Sequence, residues 1–222
     1  RYNEEVPLAK HEAAGRGRAA RRSGTRGRDA STIAAVIVEP LVLGAAGMSM
    51  YPAALLHELR QVCTETGVLL IADEVFTGLG RTGLRWACDH AEITPDLMCV
   101  SKALTGGLLP FAATLATESL YDRFRGDLSR AVMHGHTYTG NPLGAAVALE
   151  TLNVFDDERV LEQMPPRCEA VSAAFTAMAA IPGAVRPRAL GMIGAIDLCV
   201  GGYFRTRGCA VLYFGKPPRG GF

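Results

Sequence analysis

Two β-branched apolar runs, TIAAVIVEP (32–40) and GVLLIADEV (67–75), flank a segment whose leucines repeat at helical spacing. An unbroken apolar run of that length is the mark of a strand shielded from water on both sides. Between the runs, PAALLHELRQVCTETG (52–67) sets Leu55, Leu56, Leu59 and Val62 on one stripe, with Pro52 near its start and Gly67 at its stop. Strand, helix and strand in that order call for a right-handed crossover and a parallel pair. DLMCVSK (96–102) and FAATLAT (111–117) supply two more strands, and NPLGAAVALETLNVF (141–155) reads as a small-residue helix with proline in its first turn. The expected class is α/β, a mostly parallel sheet covered by helices on both faces.

Beyond residue 156, RCEAVSAAFTAMAAI (167–181) reads as a helix and ALGMIGAIDL (189–198) as a strand, the opening of a smaller α+β unit. The expected division is a basic, unstructured leader over 1–30, an incomplete large domain over 31–155, and a truncated small domain over 156–222.

The leader is distinctive in charge. Residues 1–28 hold eight Lys/Arg against three Glu, although the whole chain has a net charge of only +1. GRGRAARRSGTRGR (15–28) has no apolar periodicity, so it reads as a solvated linker. It also lacks the interleaved aromatics of a nucleic-acid arm, and no nucleic-acid partner is expected. The six cysteines form no CxxC pair and several sit in apolar runs, as buried free thiols do. No metal is expected. Without an 18-residue apolar run, a membrane span is not expected either, and the cytoplasm is the default location.

In open α/β sheets ligands gather outside the carboxyl ends of the strands. Glu39, the Asp73-Glu74 pair and Lys102 all fall at or just past such ends. A buried carboxylate needs a cation or several donors to stay ionised, and a lysine near the core needs a partner or a task. An acid and a lysine at one sheet edge suit pyridoxal phosphate, which requires a lysine for its Schiff base and an acid at its pyridinium nitrogen.

IADEVFTGLGRTG (71–83), PDLMCVSKALTGG (95–107) and HGHTYTGNPLGAAVALETL (134–152) follow in that order. Together they resemble the class III pyridoxal-phosphate-dependent aminotransferases, over roughly residues 31–200. The resemblance implies the fold-type I transferase architecture and pyridoxal 5'-phosphate as cofactor. It also implies an amine donor and a keto acceptor as substrates, and a homodimer with shared active sites. Lys102 would be the Schiff-base lysine and Asp73 would hold the pyridine nitrogen. Val75 would pack against the cofactor ring. Thr137, with the backbone near His136, would bind the phosphate of the neighbouring subunit's cofactor. Arg81 and Glu39 would lie on the substrate side. In isolation His134 and His136 look like catalytic bases, but a turn-forming role is the expected one.

Within the class, WACDHAEITPDLMCVSKALTGG (86–107) is most similar to the branch that moves an amino group from S-adenosylmethionine to 8-amino-7-oxononanoate in biotin formation. The ornithine, acetylornithine and omega-amino-acid branches share the DE…TG…RTG and GNPL elements and are the alternative within the class. Two departures stand out. Residues 1–30 match none of the family's N-terminal half, and Leu212 occupies the position where the family's substrate-carboxylate arginine is expected. A catalytically inactive remnant is the alternative these departures raise.

Overall fold

The computed structural model describes residues 30–198. Of the expected leader over 1–30 only Ala30 is described, at the start of a 3₁₀ turn (Ala30–Thr32); the rest of it and Leu212 lie outside the described residues.

The core element is a four-stranded sheet. β1 (Ala35–Val38) comes first, followed by a small hairpin of β2 (Val42–Leu43) and β3 (Ser49–Met50). α1 (Ala53–Thr66) then crosses over and stops at Gly67, whose φ of 71° is the left-handed conformation that only glycine adopts without strain. β4 (Leu69–Asp73), β5 (Leu97–Val100) and β6 (Ala113–Ala116) complete the sheet in the spatial order β1-β4-β5-β6. The first three strands run parallel and β6 is an antiparallel edge. The strand–helix–strand crossover is therefore present as the sequence requires.

Helices cover one face of this sheet. α1 packs Leu59 and Cys63 against Val36, Val38 and Leu70. After a four-residue α2 (Glu118–Tyr121), α3 (Pro142–Asp157) brings Ala148, Leu152 and Phe155 against Met98, Val100 and Ala113. Register puts Ile37, Ile71 and Leu97 on the opposite face. Ile37 is 63% exposed, and Ile71 and Leu97 are half-buried. Among the described residues no helix packs on that side. The expectation of cover on both faces is thus met on one only, because the apolar run alone does not say which chain segment supplies the second layer.

The second unit joins α4 (Met164–Met178) to an antiparallel hairpin, β7 (Ala184–Leu190) and β8 (Ile193–Leu198). The single strand expected over 189–198 is instead a turn and a strand, folded back at Gly191 with φ 60°. Phe175 of α4 lies flat on β8: a Cβ at Gly194 would come within 2.1 Å of its ring. The other side of β8 faces the first unit, with Ile193 joining the core around Leu41, Val42 and Phe76.

Candidate active site

β4 and β5 lie side by side, so their carboxyl ends bring Asp73 and Lys102 to one edge. Asp73 is paired in register with Cys99, three residues before Lys102. Glu74 N donates to Cys99 O at 2.9 Å, which locks the strand ends together. The Asp73 carboxylate is half-buried and accepts one hydrogen bond, from Val75 N to Oδ1 at 3.1 Å. Among the described residues it has no cationic partner, so acceptor capacity remains at a strand end where a ligand donor can reach it.

Lys102 opens a short 3₁₀ turn, Lys102–Thr105, with φ 39°. That left-handed backbone is uncommon for a residue with a side chain and persists only where surroundings impose it. Here Ser101 Oγ donates to Phe111 O at 2.7 Å and Thr105 Oγ1 to Leu109 O at 2.6 Å, pinning both ends of the turn. The Lys102 side chain is exposed. Its Nζ lies 5.2 Å from the centroid of the Phe76 ring, and no carboxylate among the described residues pairs with it.

Phe76 joins the cluster although no sequence motif marks it. Its ring is buried and also lies 5.3 Å from the Arg81 guanidinium carbon. On Glu39, Oε2 accepts from Gly44 N at 2.8 Å, and a Cβ on Gly44 would meet both that oxygen and the Phe76 ring. One aromatic ring therefore draws Lys102, Arg81 and the Glu39 loop together. The signal was its place two residues past the acid pair in IADEVFTG, on the loop leaving a central strand.

Glu74 was noticed in sequence only as Asp73's neighbour. It points into the core and is 1% exposed, with Thr77 Oγ1 donating to Oε2 at 2.6 Å and Cys88 N donating to Oε1 at 2.9 Å. It satisfies a buried carboxylate with neutral donors and staples the 74–78 loop to the 87–91 turn. Burial, with the Glu74 carboxylate beside it, pushes the Cys88 thiol well above its ordinary range.

His136 and Thr137 stand apart from this cluster. Both are exposed, in a turn held by Thr139 N donating to His136 O and His136 N donating to Thr139 Oγ1, each at 2.9 Å. Neither is hydrogen-bonded to Asp73 or Lys102 among the described residues. Asn141 then caps α3, accepting from Leu143 N at 3.1 Å.

The family model of the class-III aminotransferases matches residues 5–203. The chain belongs to the class-III aminotransferase family. It is 44% identical over 176 residues to the adenosylmethionine-8-amino-7-oxononanoate aminotransferase of Nitratidesulfovibrio vulgaris, covering 78% of this chain and 32% of that one. It is 45% identical over 186 residues to the enzyme of the same name from Synechococcus elongatus, covering 82% and 43%. The crystal structure of that aminotransferase from Methanocaldococcus jannaschii superposes with a TM-score of 0.73 at 38% identity, over 77% of this chain and 40% of that chain. The chain thus spans less than half the length of the curated relatives it matches.

Class-III aminotransferases depend on pyridoxal phosphate. The groups present fit that cofactor. Asp73 is an acceptor suited to a protonated ring nitrogen, Lys102 is an amine that no carboxylate among the described residues pairs with, and Phe76 is an apolar floor beneath that amine.

Proposed function

We propose that this chain carries out amino transfer from S-adenosylmethionine to 8-amino-7-oxononanoate, giving 7,8-diaminononanoate in biotin formation. The substrates follow from the name shared by relatives 44% and 45% identical to it. The observation that carries the chemistry is the adjacency of Asp73 and Lys102 at the ends of neighbouring parallel strands.

Pyridoxal phosphate supplies, when bound, an electron sink that eases loss of the proton from the amine-bearing carbon. Asp73 would accept a hydrogen bond from the ring nitrogen and keep it protonated. Lys102 Nζ would hold the cofactor's aldehyde, and the same amine would serve as the base and acid that moves a proton at the amine-bearing carbon. Val75 packs its side chain on the ring, and Phe76 excludes water beneath the lysine. The Arg81 guanidinium and the Glu39 carboxylate orient substrate at the mouth of the site.

Thr137 and the backbone at His136 hold the phosphate of a neighbouring subunit's cofactor. The exposure of their turn supports that assignment, and the working unit on this reading is a homodimer in the cytoplasm. The large domain runs over 31–155 and the small domain over 156–222, with Phe175 against Gly194 as the centre of the latter.

The test is an absorbance spectrum of the full chain with pyridoxal phosphate, before and after dialysis, beside Lys102→Ala. A retained protein-bound band that disappears in the variant is expected. A folded wild-type chain with no Lys102-dependent band would overturn the reading.

A further inference from the structure

β7 contains one residue more than its partner strand needs. Val185 faces Asp197 in register, yet Arg188 faces Ala195, so three steps along β7 match two along β8. Such a bulge leaves a residue unpaired. On its turn side the pairs Arg188–Ala195, Ala189–Gly194 and Leu190–Ile193 are regular, so Arg188 shares the face of Ala195 and Asp197, the side turned to the first unit and away from Phe175 of α4. Pro187 sits within the bulge, where the lost ladder donor does not matter.

The guanidinium is fully used. Arg188 Nη2 donates to Asp197 Oδ1 at 3.0 Å, and Asp197 is 4% exposed. Arg186 is ion-paired with the other oxygen of the same carboxylate. Arg188 also crosses to the first unit, where Nε donates to Met48 O at 2.8 Å and Nη2 to Gly47 O at 2.7 Å. Met48 N donates in turn to Gly44 O at 3.4 Å, and Gly44 N donates to Glu39 Oε2 at 2.8 Å. A continuous series of hydrogen bonds thus joins a buried carboxylate in the second unit to Glu39. The hairpin turn adds a second anchor: Met192 N donates to Arg81 O at 2.9 Å, and Gly191 lies so close to Thr82 that a Cβ would come within 2.2 Å of its carbonyl carbon.

We infer that Arg188, fixed by Asp197 and held on this face by the register of the β7–β8 hairpin, is a positioning residue that sets the Glu39 carboxylate through the 44–48 loop. The inference rests on the proposed reading that Glu39 faces substrate. Arg suits this role because its planar fork satisfies three carbonyls, those of Gly47, Met48 and Arg186, and a carboxylate at once, which a lysine ammonium on a flexible stem cannot do with the same geometry.

Two readouts on the full chain test it. The first is hydrogen exchange at the Gly44 amide in wild type, Arg188→Met and Arg188→Lys, with the Glu74 amide as an internal control. Arg188→Met is expected to speed Gly44 exchange about tenfold or more while Glu74 is unchanged, and Arg188→Lys to fall between. Should Arg188→Met disrupt folding, its Glu74 amide would lose protection too, and Arg188→Lys alone then decides. Gly44 exchange within twofold of wild type in a folded variant overturns the inference.

The second is a double-mutant cycle on the amine-donor KM. Arg188→Met and Glu39→Gln are expected to raise it, and the double variant to be no worse than the stronger single one. Fully additive effects would show independent roles and overturn the relay. If Glu39→Gln leaves KM unchanged while Gly44 exchange still rises in Arg188→Met, the relay stands and the substrate role of Glu39 is what fails.

Discussion

The ammonium of Lys102 stands 5.2 Å from the centre of the buried Phe76 ring. A cation over an aromatic face gains about 0.5–1 kcal/mol at an exposed site. Phe76→Leu keeps most of the apolar bulk and removes that attraction for Lys102 and Arg81 together, so a loss of about 1–2 kcal/mol is expected. Phe76→Ala opens a cavity as well and should cost about 3–5 kcal/mol. Urea unfolding of the two variants beside wild type checks both values. Equal stability of all three would show that the ring supports neither cation.

Gly191 and Gly67 both adopt positive φ, 60° and 71°, but in different surroundings. A Cβ at Gly67 meets nothing within 4 Å, whereas one at Gly191 runs into the backbone of Thr82 and Gly83. Gly67→Ala should therefore cost only the left-handed penalty of about 1–2 kcal/mol. Gly191→Ala must also push the hairpin off the Arg81 loop and should cost clearly more. Thermal melts of the two single variants rank them, and a Gly191→Ala no worse than Gly67→Ala would contradict the close approach.

Cys88 gives the fold an alkaline limit. Its thiol is raised by burial and then by the Glu74 charge, from an ordinary value of 9.0. Tyr51 is likewise raised by burial. For an acid whose folded pKa lies above its unfolded one, stability is whole below the unfolded value and falls as pH rises, because the unfolded chain loses the proton first. Each such group then contributes a slope of about 1.4 kcal/mol per pH unit. Denaturant midpoints should be flat near neutrality and decline above about pH 9. Cys88→Ala should lessen that slope, and an identical slope in the variant would assign the decline elsewhere.

Ile37, 63% exposed, lies on the uncovered side of the sheet with Ile71 as its register partner. A contiguous apolar surface of this kind favours association. Ile37→Lys should reduce concentration-dependent light scattering of the isolated chain while changing unfolding free energy by no more than about 0.5 kcal/mol. Unchanged scattering would mean that association, if present, uses another surface.

Much of this site was readable from the chain because its chemistry sits at strand ends. The apolar runs located β1, β4 and β5, and parallel order then placed Glu39, Asp73 and Lys102 at one edge. Phe76 was not readable, since a phenylalanine beyond a strand looks like any core residue until its two cationic neighbours are seen. The β7–β8 turn was missed for a different reason: ALGMIGAIDL has apolar residues on both sides of Gly191, so composition hides the reversal. Arg188 was hidden too, because its reach across 140 residues to Met48 depends on the register of a hairpin that leaves no periodic trace. His136 and Thr137 were singled out through resemblance, and within this chain they form an exposed turn.

The bulge also makes the hairpin tolerant of one kind of genetic change and intolerant of another. Substitutions within 185–188 alter a contact by degrees, as Arg188→Lys would. Deletion of Arg186 or Pro187 only removes the extra residue, leaving Val185 opposite Asp197 and Arg188 opposite Ala195, whereas deletion of Ala189 or Leu190 moves Arg188 opposite Gly194 and turns its guanidinium toward Phe175. A scan of single-codon deletions should therefore find a sharp boundary at Arg188, with mild losses on the bulge side and complete loss on the turn side.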